Sequence, residues 1–209
     1  MKTVFISAKI KKEPDYEKVR RLVNEKIPEK VLSICYSNQF ADVAKKLGES
    51  LDKRIVYKTQ VLGCSRPKFP PETKAILIVG QGKFHSVSLA YESKLPTYIL
   101  EDETIEKISS ADVARMERKE KAMYSKFLNS EKIGILVTNK PGQQRLKSAV
   151  NFHRNLKGKK SYLFIANDLN VGEFENFQID CWVNTACPRM DLTDGDILNL
   201  ENLQRLQKR

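Results

Sequence analysis

Histidine is scarce in this chain: only His85 and His153 occur. A Ser-His-Asp relay needs a histidine beside both a nucleophile and a carboxylate, and no such set can be drawn here. His153 stands mid-helix among Asn and Arg, as a surface residue does. The four cysteines, Cys35, Cys64, Cys181 and Cys187, include no CxxC pair, which argues against a local zinc knuckle. A metal or cluster would have to gather thiols from distant segments. No apolar run is long enough to span a bilayer, so no membrane partner is expected. The opening stretch MKTVFISAKIKKEPDYEK lacks a signal peptide's apolar middle and small-residue cleavage site, which predicts a cytoplasmic location. In a reducing compartment disulfides are not expected.

What is present describes a globular protein. Hydrophobic residues make up 41% and charged residues 30% of 209, ample for a core and suited to one large domain or two small ones. The net charge of +11 admits nucleic acid, a ribonucleoprotein or an acidic protein face as partners. The basic residues are spread beside acidic ones, as in ARMERKEKAMYSK, which reads as solvated helix faces. No aromatic-rich RNA-binding motif occurs, so direct nucleic-acid binding is not expected.

Apolar runs and helical periodicities alternate. TVFIS (3–7), KVLSICYS (30–37), RIVYKTQVL (54–62), KAILIVG (74–80), PTYILE (96–101), KIGILVTN (132–139), KSYLFIAND (160–168) and FQIDCWVNTA (177–186) read as strands. Helices are predicted over 15–27, 40–51, 83–93, 111–130 and from about Gln143 to Leu156, with a short one in DILNLENLQRLQ. This order predicts α/β architecture: two tandem, similar α/β units with mainly parallel sheets, joined by a long helix. The boundary is expected near residue 108, giving domains over 1–108 and 109–209.

An internal echo supports the tandem reading. EKVLSICYSNQFADVAKKL from Glu29 and EKIGILVTNKPGQQRLKSAV from Glu131 each give Glu-Lys, an apolar strand, a polar turn with glutamine and a helix. Each is followed by a strand leading to a cysteine, Cys64 after QVLG and Cys187 after NTA.

Ligands of open α/β sheets gather beyond the carboxyl ends of the strands. Cys64 and Cys187 fall there, as small core residues or as ligands or nucleophiles. Cys35 and Cys181 lie inside apolar strands, where a buried inert thiol is the default. In IVGQGKFH (78–85), Gly80 and Gly82 let the backbone approach a ligand, and the following helix offers N–H groups to an anion. His85 stands where a dinucleotide fingerprint would have its third glycine, and a plain strand-to-helix turn is the other reading. In TNKPGQQR (138–145), Pro141 and Gly142 shape a turn, and Gln143 or Gln144 can bond a polar ligand. Asn167 and Asp168 in IANDLN can cap the next segment or bind an amine or hydroxyl.

Taken together, QVLGC, IVGQGKFHSVSLA, ILVTNKPGQQRL and NTACPRMDL resemble the diphthamide synthase family, the enzymes of the first step of diphthamide biosynthesis. The resemblance implies α/β domains that each supply one cysteine to a 4Fe-4S cluster. It implies S-adenosylmethionine bound at an open iron, with reductive cleavage of its Cγ–S bond. The 3-amino-3-carboxypropyl group then passes to a histidine of translation elongation factor 2. Carried over, Cys64 and Cys187 are cluster ligands, and Gly80, Gly82, His85 and Gln143 lie near S-adenosylmethionine. Arg189, after Pro188, places positive charge beside the cluster or a carboxylate.

The family has three such domains, and this chain resembles the middle domain (1–108) and the last (109–209), with only the final strand of the first. The third cluster cysteine is therefore expected to be missing from this chain. A complementary subunit can supply it, or two copies can share ligands in a homodimer. The alternative is a non-catalytic support or regulatory paralogue that binds a complementary synthase subunit. A basic RNA- or ribosome-associated protein is a third reading.

Overall fold

The five residues AILIV can be apolar throughout because both of their faces are covered. In the computed structural model, which describes residues 9–11, 13–62, 65–188, 190 and 197–207, they form β3 (Ala75–Val79), every residue buried. Its neighbours are β1 (Val31–Tyr36) and β4 (Thr97–Glu101), both parallel to it. β2 (Arg54–Gln60) lies parallel to β1, and β5 (Thr104–Lys107) lies antiparallel to β4, so the sheet runs β2-β1-β3-β4-β5. The strand expected over 3–7 lies outside the described residues.

Helices cover both faces of this sheet. On one, α1 (Tyr16–Lys26) and α2 (Ala41–Ser50) pack Val19, Val23, Val43, Ala44 and Leu47 against Leu32, Ile34, Leu77 and Leu100. Asp15 starts α1 by accepting the Lys18 N–H at 3.0 Å. On the other face, α3 (Phe84–Ser93) sets Leu89 among Cys35, Ile76 and Ile78. β5 is not among the strands expected from the apolar runs. It follows a two-residue turn at Asp102 and Glu103, whose φ values of 45° and 59° are those of a type I′ hairpin. The usual asparagine-glycine signal for that turn is missing, so composition leaves the hairpin unmarked.

The long helix α4 (Ser110–Asn129) contains the division of the chain into two compact units, Met1–Met116 and Glu117–Arg209. The second unit has a four-stranded sheet, parallel throughout, in the order β7-β6-β8-β9. Its strands are β6 (Lys132–Thr138), β7 (Lys160–Ala166), β8 (Cys181–Asn184) and β9 (Ile197–Asn199). One face meets Phe127 of α4, Ala149 of α5 (Leu146–Asn155) and Leu203 of α6 (Leu200–Leu206). The opposite face is sealed by aromatic rings. Trp182 stacks on Phe174 at 4.4 Å between centroids and meets Phe164 edge-on at 4.8 Å. Gly134 makes this possible, since a Cβ there would stand 2.3 Å from the Trp182 ring.

Counted in chain order, the first four strands of each unit stand in the order two-one-three-four. The echoed segments are the first strand of each unit and the α-helix that follows it, β1 with α2 and β6 with α5. The cysteines are not equivalent. In sequence Cys64 comes after the second strand of its unit, the edge strand β2, whereas Cys187 comes after the third, β8, which pairs with β6. In the second unit α5 starts at Leu146 rather than at Gln143, and β9 precedes the short terminal helix.

Candidate functional site

A two-one-three-four sheet reverses direction between its first and third strands, and the crevice beyond their carboxyl ends is where such folds hold ligands. In the first unit that crevice lies between β1 and β3. Ser37, just after β1, donates its N–H to the Val79 carbonyl at 3.2 Å. A Cβ on Gly80 would reach 3.4 Å from the Ser37 hydroxyl, an ordinary contact. The Ser37 hydroxyl is buried without a hydrogen-bond partner among the described residues, and so is that of Ser86 in the first turn of α3. Such orphaned groups are costly unless a ligand or water satisfies them. Neither serine stands out in the sequence, since nothing marks an isolated serine as functional.

The Gly80–His85 turn is tied to the neighbouring hairpin. Gly82 has φ +80°, which favours glycine, and donates its N–H to the Glu101 carboxylate at 3.1 Å. Lys83 forms an ion pair with Glu106 on β5. The Gly82 amide, in the turn ahead of α3, is thus engaged by a carboxylate of the protein itself. His85 is half-buried at the second position of α3. Leu62 and Ser65 bond each other twice, with the Leu62 N–H donating to the Ser65 hydroxyl at 2.7 Å. Cys64, between them, lies outside the described residues.

In the second unit the crevice lies between β6 and β8. The TNKPGQQR and IANDLN segments, which follow β6 and β7, meet on the other side of β6. The Thr138 hydroxyl donates to the Asn167 carbonyl at 2.9 Å, and Lys140 pairs with Asp168. Asn167 and Asp168 therefore brace the neighbouring loop. The cap of the following 3-10 segment is Asn170, which accepts the Gly172 N–H at 3.1 Å. Gln143 is half-buried in the turn, its N–H on the Lys140 carbonyl at 3.0 Å.

Cys187 stands half-buried three residues beyond β8. Thr185 donates both its N–H and its hydroxyl to the Leu136 carbonyl, at 3.1 and 2.7 Å, so the chain leaves the sheet along a fixed path. The other described thiols are sealed. Cys181 is fully buried in β8, and burial in β1 pushes the Cys35 thiol up to about 12. Among the described residues no three His, Cys, Asp or Glu side chains gather as a metal site. Of the described thiols, Cys187 alone suits a cluster thiolate, and Arg189 lies outside the described residues. Among the described residues no helix is long and apolar enough to cross a membrane.

Comparison with known proteins gives this geometry a context. The family described as "Putative diphthamide synthesis protein" matches residues 1–197. The 2-(3-amino-3-carboxypropyl)histidine synthase of Pyrococcus horikoshii is 34% identical over 145 residues, covering 68% of this chain and 42% of that protein. The synthase of Methanocaldococcus jannaschii is 29% identical over 139 residues, covering 64% and 40%. The chain thus spans less than half the length of these curated relatives. The crystal structure of Dph2 from Pyrococcus horikoshii with a 4Fe-4S cluster superposes with a TM-score of 0.75 and 25% identity, over 92% of this chain and 61% of that one. With a match running through both sheets, the chain belongs to the diphthamide synthesis protein family.

Proposed function

We propose that this chain acts in diphthamide biosynthesis as part of an iron–sulfur enzyme that transfers a 3-amino-3-carboxypropyl group to a histidine of elongation factor 2. The observation that carries this reading is the contrast among thiols. Cys187 is accessible at the switch point of the second sheet, while Cys35 and Cys181 are closed off. A 4Fe-4S cluster, once reduced by an external one-electron donor, would supply the electron for Cγ–S cleavage, and bound S-adenosylmethionine would supply the group that is transferred. Cys187 and Cys64 hold iron as thiolates, and Arg189 balances their negative charge. Gly80 and Gly82 keep side-chain bulk out of the first crevice. In the first unit the buried Ser37 and Ser86 hydroxyls and His85 can hydrogen-bond a polar ligand such as S-adenosylmethionine, and in the second unit Gln143 can do so. Residues 1–108 then correspond to the family's middle domain and 109–209 to its last. A complementary subunit or a second copy supplies the third thiolate, and the complex works in the cytoplasm.

The alternative reading is a non-catalytic support subunit that binds a complementary synthase subunit. Transfer of label from carboxyl-labelled S-adenosylmethionine to elongation factor 2 separates the two. It is measured with the complementary subunit present, for wild type and for the Cys64→Ala, Cys187→Ala double variant. Loss of transfer in the variant is expected. Full transfer by the variant would establish the support role instead.

A further inference from the structure

We propose that Asn184 and Asn199 are positioning residues that clamp the Cys187 loop onto the carboxyl edge of the second sheet. They are opposed in register at the ends of β8 and β9, and both are buried, 2% and 5% exposed. Two amides at that depth need partners, and the loop provides them. Asn184 donates from Nδ2 to the Cys187 carbonyl at 2.8 Å and to Asn199 Oδ1 at 2.7 Å. Its Oδ1 accepts the Ala186 N–H at 2.8 Å. Asn199 donates from Nδ2 to the Pro188 carbonyl at 2.9 Å. The Cys187 carbonyl also accepts the Met190 N–H at 3.1 Å.

Chemistry fixes the orientation of both amides. The Ala186 N–H only donates, so it must meet Asn184 Oδ1. The Cys187 and Pro188 carbonyls only accept, so each must meet an Nδ2. In this arrangement each of these bonds runs from a donor to an acceptor, and the backbone on both sides of Cys187 is held by side chains rooted in the sheet. Proline cannot donate an N–H, so the loop is gripped through its carbonyls. Aspartate at either position would keep the shape, lose the donor and place negative charge against those carbonyls. It would also add charge beside an anionic thiolate. Asparagine is the residue that grips without charge.

The positioning of a metal thiolate rests on the proposed function, whereas the clamp itself does not. The test therefore uses the full chain without metal. The alkylation rate of each cysteine by N-ethylmaleimide is followed by peptide mass spectrometry, for wild type, Asn184→Asp, Asn199→Asp and Gly134→Ala. Cys35 and Cys181 report global opening within the same samples. Gly134→Ala destabilises the same sheet without touching the clamp. The asparagine variants are expected to alkylate Cys187 about tenfold faster, the size of one lost buried hydrogen bond. Cys35 and Cys181 stay protected, and Gly134→Ala leaves the Cys187 rate near wild type well below its melting point. A Cys187 rate within about twofold of wild type in both asparagine variants overturns the clamp, as does acceleration that Cys35 and Cys181 share. Iron content after anaerobic reconstitution with the complementary subunit is measured separately. If the wild type holds no iron, the functional reading falls while the alkylation result still judges the clamp.

Discussion

The two units share a strand order but protect their sheets by different means. In the first, helices cover both faces, and the turn after β3 is tied down by carboxylates of the β4–β5 hairpin, Glu101 and Glu106. In the second, one face is closed by Phe164, Phe174, Phe177 and Trp182, and the loop after β8 is held by neutral amides. One topology thus sets where a crevice lies, while the fastening of its rim decides what it can accommodate. Charged side chains occupy the rim of the first. Beside Cys187 the described contacts to the loop are made by uncharged amides. Even the cysteines follow this division, Cys64 after an outer strand and Cys187 after an inner one.

The largest effect that can break this comparison is steric. Gly134→Ala drives a methyl group into the Trp182 ring, and overpacking of this kind costs about 1–3 kcal/mol or more. Gly80→Ala, in the first unit, makes only a 3.4 Å contact with Ser37 and should change stability little. Urea unfolding of both variants checks this. Equal losses would mean that the aromatic cover is not what distinguishes the second sheet.

A smaller effect should be common to both units. Gly82 and Gly142 have φ of +80° and +77°, and a Cβ at either would meet nothing within 4 Å, so only backbone conformation opposes a side chain there. Alanine at either should cost about 1 kcal/mol by thermal unfolding. A cost at one position alone would show that one of these turns can relax to a negative φ.

The smallest effect appears only in acid. Asp180 accepts the Lys132 and Glu131 N–H groups at 2.8 and 2.9 Å, and these bonds hold its carboxyl below the usual carboxylate value. A depressed folded value gives stability that is fully present above the unfolded value of about 3.9 and is lost as pH falls through the folded value. Asp180→Asn should therefore flatten the acid limb of unfolding in the second unit. In the first unit Ser33 of β1 and Thr73 ahead of β3 pair through hydroxyls 2.9 Å apart, which do not titrate in this range. An unchanged acid limb in Asp180→Asn would place the acid sensitivity elsewhere.

Much of this was legible in the sequence. The apolar run AILIV announced a strand buried on both faces, and the echo of Glu29 and Glu131 marked the matching first strand of each unit and the α-helix that follows it. Cys35 and Cys181 sit inside apolar runs, which announces buried thiols, and both are buried. What escaped was non-local. Asn184 and Asn199 lie 15 residues apart, and only parallel pairing of β8 with β9 makes them neighbours. Asn167 and Asp168 read as caps, because a cap is local and their actual partners, Thr138 and Lys140, come from another strand and its following turn. β5 rests on a left-handed turn built without glycine, which leaves no compositional mark.

The central claim is that Cys187 is a metal thiolate and the buried cysteines are not. Iron and acid-labile sulfide should be measured after anaerobic reconstitution with the complementary subunit, for wild type, Cys187→Ala, Cys35→Ala and Cys181→Ala. About four irons per complex are expected in wild type and in both buried-cysteine variants, with loss in Cys187→Ala. Full iron content in Cys187→Ala would contradict the claim.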